Sequence, residues 1–260
     1  MKSYPQLATG AIAHYPLSKS RTARTVTNLI PDGSSVKYFD AGAGTTEWIL
    51  NYQALTDSER DALEQFFRDA EGSLNTFTFL DPAGNLLSHT EDLTDPIWEK
   101  DPLLGVSVGG SGPSESQGTI LTNSSGAIQS ISQRLSAPNS YHYCASLYAK
   151  SGQGQSSLIL QIGEKHQDFV IFPDWSRLVI SGDGGTEEDA VTFTISLPSG
   201  SVEVCGVQLE AQPGASGYKP TRGRGGVYSD ARFKDDVLRF TADDLNNHSC
   251  RVTIIHAEHI

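Results

Sequence analysis

The side chains that could carry out covalent chemistry in this sequence are not arranged around a nucleophile. No Gly-x-Ser-x-Gly segment occurs, and the histidines show no recognisable pattern around a cysteine or a serine. His256 and His259 lie three residues apart, a spacing that places two side chains on opposite faces of a strand, so we expect no metal chelation there. The sequence therefore predicts a protein that is not an enzyme.

Carboxylates are nevertheless abundant, with 31 acidic against 19 basic side chains. Two carboxylates about 5–9 Å apart would suit glycoside hydrolysis. Nothing in the sequence singles out such a pair, so a polysaccharide-cleaving enzyme remains an alternative.

Four of these acidic side chains cluster in the glycine-rich segment "SGDGGTEEDA" (181–190), namely Asp183, Glu187, Glu188 and Asp189. Calcium prefers clustered oxygen ligands, but the spacing matches no EF-hand loop. A solvated acidic turn is the favoured interpretation, and a structural calcium site at these four residues is the alternative. We expect no other cofactor.

Aromatic side chains can stack on sugar rings, and the candidates for glycan binding are Tyr141, Tyr143, Tyr148 and Trp175. In "YHYCASLYAK" (141–150), the first two tyrosines share one strand face and Tyr148 lies on the other. Because one face must belong to the core, only one set can meet a ligand. Trp175 follows a Pro-Asp turn and is the better candidate, whereas we expect Trp98 to fill the core.

The formal net charge of −12 is concentrated in the middle of the chain. Residues 85–221 hold 15 acidic and 6 basic side chains, whereas residues 1–84 hold 10 and 7, and residues 222–260 hold 6 of each. An acidic surface repels phosphate backbones, so we expect no nucleic-acid binding by the middle block. The short stretch "SKSRTART" (18–25) is instead basic.

The composition favours an all-β protein, because 25 Gly and 12 Pro accompany short apolar runs. No apolar run approaches the ~20 residues that cross a bilayer, and we expect neither membrane insertion nor a signal peptide. The three cysteines (Cys144, Cys205 and Cys250) fit no zinc spacing and no disulfide framework, so we expect buried free thiols.

One segment predicts a helix, "LTDSERDALEQFFRDAEG" (55–72), in which Thr56 and Glu59 have the spacing of a capping box. We expect its stripe of Leu63, Phe66, Phe67 and Ala70 to pack on strands at 47–52 and 75–80. Before the helix, "RTVTNLIPDGSSVKYFD" predicts a hairpin, and "AGAGTT" (41–46) predicts a flexible joint.

The middle block predicts a two-sheet jelly roll, because many short strands follow one another without an intervening helix. Three of its segments resemble a carbohydrate-binding-like jelly-roll module of the kind found in phage tail and secreted bacterial proteins. They are "NLLSHTEDLTDPIWEK" (85–100), "YHYCASLYAKSG" (141–152) and "VCGVQLEAQPGASGYKPT" (204–221). The resemblance covers residues 85–221 and implies a glycan-binding fold.

The flanking segments resemble distal tail proteins of phages and the tail proteins of gene-transfer-agent particles. The resemblance rests on "ALTDSERDALEQFFRDAEGSLNTFTFLDP" (54–82), "ARFKDDVLRFTADDL" (231–245) and "CRVTIIHAEHI" (250–260). It implies a mainly β protein, in which a tail-type β-sandwich or barrel with one helix (1–84 and 227–260) is split by the jelly roll (85–221). A glycine-rich hinge follows at 222–226. The strand holding Phe77 and Phe79 would then pair with 232–240 and 251–256.

The resemblance implies a structural protein at the tip of a phage tail, assembled in the bacterial cytoplasm. Its partners would be further copies in a hexameric ring, the tail tube protein, a baseplate hub or fibre protein and host-surface polysaccharide. Lys19, Arg21 and Arg24 would face an acidic rim on a neighbouring subunit. A lectin-like binding protein and a tail-associated polysaccharide depolymerase are the alternatives.

Overall fold

A computed structural model describes residues 2–152, 154–186 and 189–258. Contacts within the chain divide these residues into two compact units. Unit 1 comprises 2–7, 13–79 and 228–258, and unit 2 comprises 8–12 and 80–227. The elements in chain order are β1 (Ser18–Leu29), β2 (Ser35–Leu55), α1 (Asp57–Asp69), β3 (Phe77–Leu80), β4 (Glu99–Lys100), β5 (Leu104–Ser111), β6 (Gln117–Asn123), β7 (Gln129–Leu135), β8 (His142–Ser151), β9 (Ser156–Ile162), β10 (Lys165–Ile171), β11 (Ser176–Asp183), β12 (Val191–Leu197), β13 (Gly200–Glu210), β14 (Val227–Phe233), β15 (Phe240–Asp244) and β16 (Asn247–Ala257).

Unit 1 is one sheet with the helix packed on it. The strand order is β1-β2-β16-β14-β3, and β15 pairs with β16. The Phe77/Phe79 strand therefore lies beside β14, and β16 lies between β14 and β2. Aromatic rings fill the core, with ring centroids 5.0 Å apart in the edge contact between Phe66 and Phe77 and in the tilted contact between Phe77 and Phe233.

The start of α1 follows from local chemistry. The Thr56 hydroxyl accepts a hydrogen bond from the Glu59 amide at 3.2 Å, and the Thr56 amide donates to the Glu59 carboxylate at 3.0 Å. This confirms the predicted capping box. Leu63 on the predicted stripe is buried, as is Ala70 just after the helix.

The predicted flexible joint at 41–46 is wrong. These residues lie inside β2, which runs unbroken for 21 residues. Thr45 and Thr46 pair with Thr22 and Arg21 of β1 on one side and with β16 on the other. The glycines lie at an irregularity in the pairing with β1, where the register shifts between Thr22 and Arg24. Cross-strand pairing thus holds Thr45 and Thr46, and the amide of Glu258 donates to the carbonyl of Gly44 at 2.8 Å, at a bulge in the strand.

Unit 2 contains two five-stranded sheets, with the orders β10-β9-β12-β7-β4 and β11-β8-β13-β6-β5. Their recorded pairs are antiparallel, and alternating residues of both sheets are buried, among them Leu160, Phe193, Tyr143 and Leu147. This confirms the prediction of a mainly β chain containing a jelly-roll sandwich. Trp98 is buried, and its indole N–H donates to the carbonyl of His89 at 3.2 Å, as expected of a core residue.

No helix in the described part of the chain is long and apolar enough to cross a membrane. Cys144, Cys205 and Cys250 are buried free thiols, as predicted.

Candidate functional site

One sheet of unit 2 carries a polar outer face, and half of that face is covered by the chain itself. On β8 the core side chains are Tyr143, Ala145 and Leu147, so Cys144 and Ser146 point away from the core. Both are still buried, because the segment that follows β13 (211–221) crosses over them. The Ser181 hydroxyl donates to the carbonyl of Pro213 at 2.6 Å, and the Lys219 amide donates to the Gln208 side chain at 2.7 Å.

Glu210 anchors this covering segment. Its side chain is 2% exposed and accepts hydrogen bonds from the Lys219 ammonium at 2.7 Å and from the amide of Ser216 at 2.9 Å. Gln208 and Gln212 donate to it as well, at 2.7 and 3.0 Å. Burial acts to raise the pKa of Glu210, but the bonds from Lys219 and Ser216 outweigh it and hold the pKa below its ordinary value. Gln208, Glu210 and Lys219 of the segment "VCGVQLEAQPGASGYKPT" (204–221) therefore belong to one buried network.

A pH dependence follows from the lowered pKa of Glu210. A depressed pKa in the folded state contributes stability above the ordinary value of 4.5, and this contribution is lost as the pH falls through the folded value. We expect unit 2 of the wild type to lose protection against amide hydrogen exchange as the pH falls below 4.5. Glu210→Gln should be less stable at pH 7 and should not show this loss of exchange protection below pH 4.5. If Glu210→Gln lost its protection over the same pH range and to the same extent as the wild type, Glu210 would not be the group responsible.

The entry and exit of unit 2 are joined by a second buried residue, Asn85. Its amide nitrogen donates to the carbonyls of Val207 at 2.9 Å and Lys219 at 3.2 Å. Its oxygen accepts from the amides of Leu87 and Leu209, both at 3.1 Å. Asn85 therefore connects the first and last of the three segments that resemble a carbohydrate-binding module.

The segment 222–226, predicted as a hinge, is hydrogen-bonded to the entry of unit 2. The amide of Asp81 donates to the carbonyl of Gly226 at 2.8 Å, and the amide of Gly226 donates to the carbonyl of Asn85 at 2.8 Å. At Gly225 a Cβ atom would lie 2.1 Å from the carbonyl oxygen of Leu86, so only glycine permits this approach. The chain thus enters and leaves unit 2 through two segments held side by side.

The other half of the outer face is only partly covered and holds the best candidate site for a ligand, which we call the Trp175 face (Thr122, Lys150, Trp175, Ser201 and Glu203). Strand register places Lys150 of β8 directly opposite Glu203 of β13, and Thr122 of β6 opposite Ser201. The ammonium of Lys150 lies 2.9 Å from the Glu203 carboxylate and 4.7 Å from the centre of the half-buried Trp175 ring. The hydroxyls of Thr122 and Ser201 are 3.3 Å apart.

This arrangement combines an aromatic surface with fixed polar groups. The Glu203 carboxylate also accepts a hydrogen bond from the amide of Gly110 at 2.6 Å, so its position is set from both sides. The Lys150 ammonium lies over the indole, and Trp175 is half-buried. Such a surface suits a polar ring with an apolar face, the shape of a sugar. Of this site only Trp175 is indicated by the sequence pattern, because Lys150 and Glu203 come together only through strand pairing.

The three tyrosines named from the sequence lie elsewhere. Tyr143 is fully buried and donates its hydroxyl to the carbonyl of Pro138 at 2.6 Å, so it is a core residue with no ring face for a ligand. Tyr141 is half-buried, and burial raises its pKa to about 12. Tyr148 lies on the outer face, where the Arg177 guanidinium is 5.7 Å from its ring centre, at the covered half. Phe172, which the sequence analysis did not name, is 57% exposed three residues before Trp175.

The acidic turn is only partly described. Asp183 and Asp189 are exposed, and Glu187 and Glu188 lie outside the described residues. Among the described residues, no three His, Cys, Asp or Glu side chains come close enough to hold a metal ion together. The calcium site therefore stays a prediction.

The basic residues of β1 make contacts within unit 1. Arg21 forms an ion pair with Glu258, and Arg24 lies 3.6 Å from Asp40. The Lys19 ammonium is 5.6 Å from the centre of the Trp48 ring. Arg21 and Arg24 keep about 70% of their side-chain surface exposed, with values of 72% and 67%. Their role in assembly stays a prediction.

No model of a known protein family matches the sequence, and no curated protein matches it significantly. Comparison of structures finds carbohydrate-binding modules and a phage tailspike domain. The CBM22-1 xylan-binding domain from Paenibacillus barcinonensis Xyn10C is 17% identical over 52% of this chain and 99% of that domain, with a TM-score of 0.42.

Two further structures are similar to the same degree. The CBM22-1-CBM22-2 tandem domain of the same Paenibacillus protein is 15% identical over 65% of this chain and 61% of that chain (TM-score 0.43). The enzymatically active domain of Bacteriophage CBA120 tailspike protein 4 is 12% identical over 51% of this chain and 22% of that chain (TM-score 0.40). At this level of identity, the jelly-roll assignment rests on the strand pairing described above.

Proposed function

We propose that this chain is a structural, non-enzymatic protein of a phage tail tip, which assembles through unit 1 into a ring of identical subunits. The observation that carries the proposal is the β1–β2 hairpin, whose outer part (24–40) we call the arm. In the described part of the chain, the β2 residues of the arm pair only with β1. Two strands with solvent on both faces are marginally stable, so such an arm gains its order from a partner.

Self-assembly is the direct test of this proposal. Purified full-length protein is measured by light scattering after size exclusion and by native mass spectrometry over a wide range of concentrations. The expected result is a closed ring, for which six copies is the size implied by the resemblance. A chain that stays monomeric at every concentration would overturn the proposal. The tail-tip location and cytoplasmic assembly are tested by tracing this chain in electron micrographs of intact particles.

A second function, glycan binding, is favoured by the Trp175 face. Because Trp175 supplies the aromatic surface, Trp175→Ala is expected to weaken binding of a host-surface oligosaccharide at least about tenfold. Binding is measured by calorimetry against oligosaccharides that a glycan array has first identified. The matched control is Val170→Ala, which truncates an exposed apolar side chain on β10 of the other sheet.

Two outcomes would contradict this part of the proposal. Equal binding by Trp175→Ala and Val170→Ala would remove the Trp175 face from recognition. Release of shorter sugars during the assay, abolished by Glu203→Gln, would show that the protein is a depolymerase and that the non-enzymatic assignment is wrong.

A further inference from the structure

Strand β5 forms an open edge of the sheet that carries the Trp175 face. It is the last strand in the order β11-β8-β13-β6-β5, so in the described part of the chain no strand pairs with its outer side. The far end of β5 is engaged by its own loop, because the carbonyl of Gly109 accepts a hydrogen bond from the Gln117 side chain at 3.1 Å. The part of β5 that is open to another chain is therefore 104–108, which we call the open edge.

The buried layer of unit 2 is left incomplete along the open edge. Leu104, Val106 and Val108 point to the core side of the sheet, because they pair with core-side residues of β6. Leu104 is buried and Val106 is half-buried, but Val108 is 69% exposed although its partner Thr119 is buried. A further strand beside β5 would cover Val106 and Val108 with its own inward side chains.

The other edge strands of the described chain are protected against pairing with another chain. Strands β1, β10, β11 and β15 each carry at least two charged side chains, and β4 has only two residues. Strand β3 is covered by the start of the chain, because the amide of Thr78 donates to the carbonyl of Lys2 at 2.9 Å. Charges, short strands and covering segments are means by which proteins keep sheet edges from pairing. The open edge of β5 has none of them, since its sequence "LGVSV" contains neither a charge nor a proline.

The charge of unit 2 indicates what kind of segment can pair there. Residues 85–221 hold 15 acidic and 6 basic side chains, a net of −9, so two copies of this unit repel one another. A segment that carries lysine or arginine is attracted instead. On the outer side of the sheet the open edge presents only Gly105 and Ser107, which leave room for the side chains of such a segment.

We propose that the open edge of β5 binds an extended segment of a different protein by β-strand addition. The segment lies beside 104–108 through main-chain hydrogen bonds and places apolar side chains over Val106 and Val108 at every second position, with basic side chains between them. The inference goes beyond the proposed ring and the proposed glycan binding, because it adds a protein partner at an edge that neither of them uses.

The test uses a synthetic peptide of about eight residues, in which valine and isoleucine alternate with threonine and lysine. It is titrated into the full-length protein, binding is followed by fluorescence anisotropy, and amide hydrogen exchange locates the bound peptide. We expect exchange to slow at 104–108 and to stay unchanged in β10, the edge strand of the other sheet. The same peptide with a central proline should not bind, because proline has no N–H to donate to the open edge.

Val108→Lys tests the open edge from the side of the protein. A lysine on an edge strand hinders strand addition, so the variant is expected to raise the dissociation constant of the peptide at least about tenfold. The matched control is Val170→Lys, which makes the same change at a 51% exposed valine of β10 and should bind the peptide like the wild type. Both valines are exposed, so both variants should fold, and circular dichroism verifies this.

Four outcomes would overturn the inference. They are equal binding by Val108→Lys and the wild type, binding that leaves exchange at 104–108 unchanged, no binding at about 1 mM peptide, and a smaller assembly of Val108→Lys than of the wild type in light scattering. The last outcome would show that a second copy occupies the open edge. Each of the first three leaves the proposed function standing, because ring formation and glycan binding are measured without this peptide. A monomeric wild type would instead remove the proposed ring and leave this inference unaffected.

Discussion

Replacing Lys219 by methionine is expected to destabilise unit 2 by about 3 kcal/mol, the low end of the range for breaking a buried ion pair. The change removes the ammonium 2.7 Å from Glu210 and leaves a carboxylate that is 2% exposed without its counter-ion. Because 31% of the Lys219 side chain is exposed, water compensates part of the loss, which is why the low end applies. Amide hydrogen exchange of β13 peptides reports the free energy of opening.

Two further variants separate charge from packing. Lys165→Met changes an exposed lysine of the same unit and should alter the stability by less than about 0.5 kcal/mol. The double variant Glu210→Gln with Lys219→Met removes both charges and should recover part of the loss, since the penalty comes from the unpaired carboxylate. A double variant less stable than Lys219→Met would show that Glu210 stabilises the segment 211–221 without needing Lys219.

Asn85→Ala is expected to cost about 3–4 kcal/mol, because it leaves two amides and two carbonyls without their partner. The lost bonds are those to Val207, Lys219, Leu87 and Leu209. The effect should appear as faster hydrogen exchange in both 85–91 and 207–221, although only the first contains the substitution.

The matched control is Gln167→Ala, which removes an exposed amide from β10. We expect it to change the stability by less than about 0.5 kcal/mol. Faster exchange confined to 85–91 in Asn85→Ala would contradict the view that this side chain ties the two ends of unit 2.

The features that sequence patterns predicted correctly depend on local chemistry. The capping box of α1 needs only Thr56 and Glu59, and the hairpin turn needs only the residues 30–34 that close it. The division of β8 into a core face and an outer face follows from alternation alone. Each of these features is determined by residues a few positions apart.

The features that sequence patterns missed depend on contacts between distant residues. The glycines at 41–46 predicted a flexible joint, because glycine is conformationally free. The strands that pair with β2 on either side of it cannot be recognised from this local freedom. Glu210 counted only toward a solvated acidic surface, yet the chain returns over it and buries it. Lys150 and Glu203 had no motif to mark them, since the register between β8 and β13 alone brings them to Trp175.

The side-by-side entry and exit of unit 2 have a consequence for how such a chain can evolve. Main-chain hydrogen bonds of Asp81, Asn85 and Gly226 hold the entry and exit of unit 2 together, and the contact also needs the Asn85 side chain and a glycine at position 225. These requirements all lie at the two junctions. A recombination event that replaces residues 85–221 therefore needs only two compatible junctions. On the proposed function, a particle lineage would change its host range by exchanging this one cassette while keeping the subunit that builds its ring.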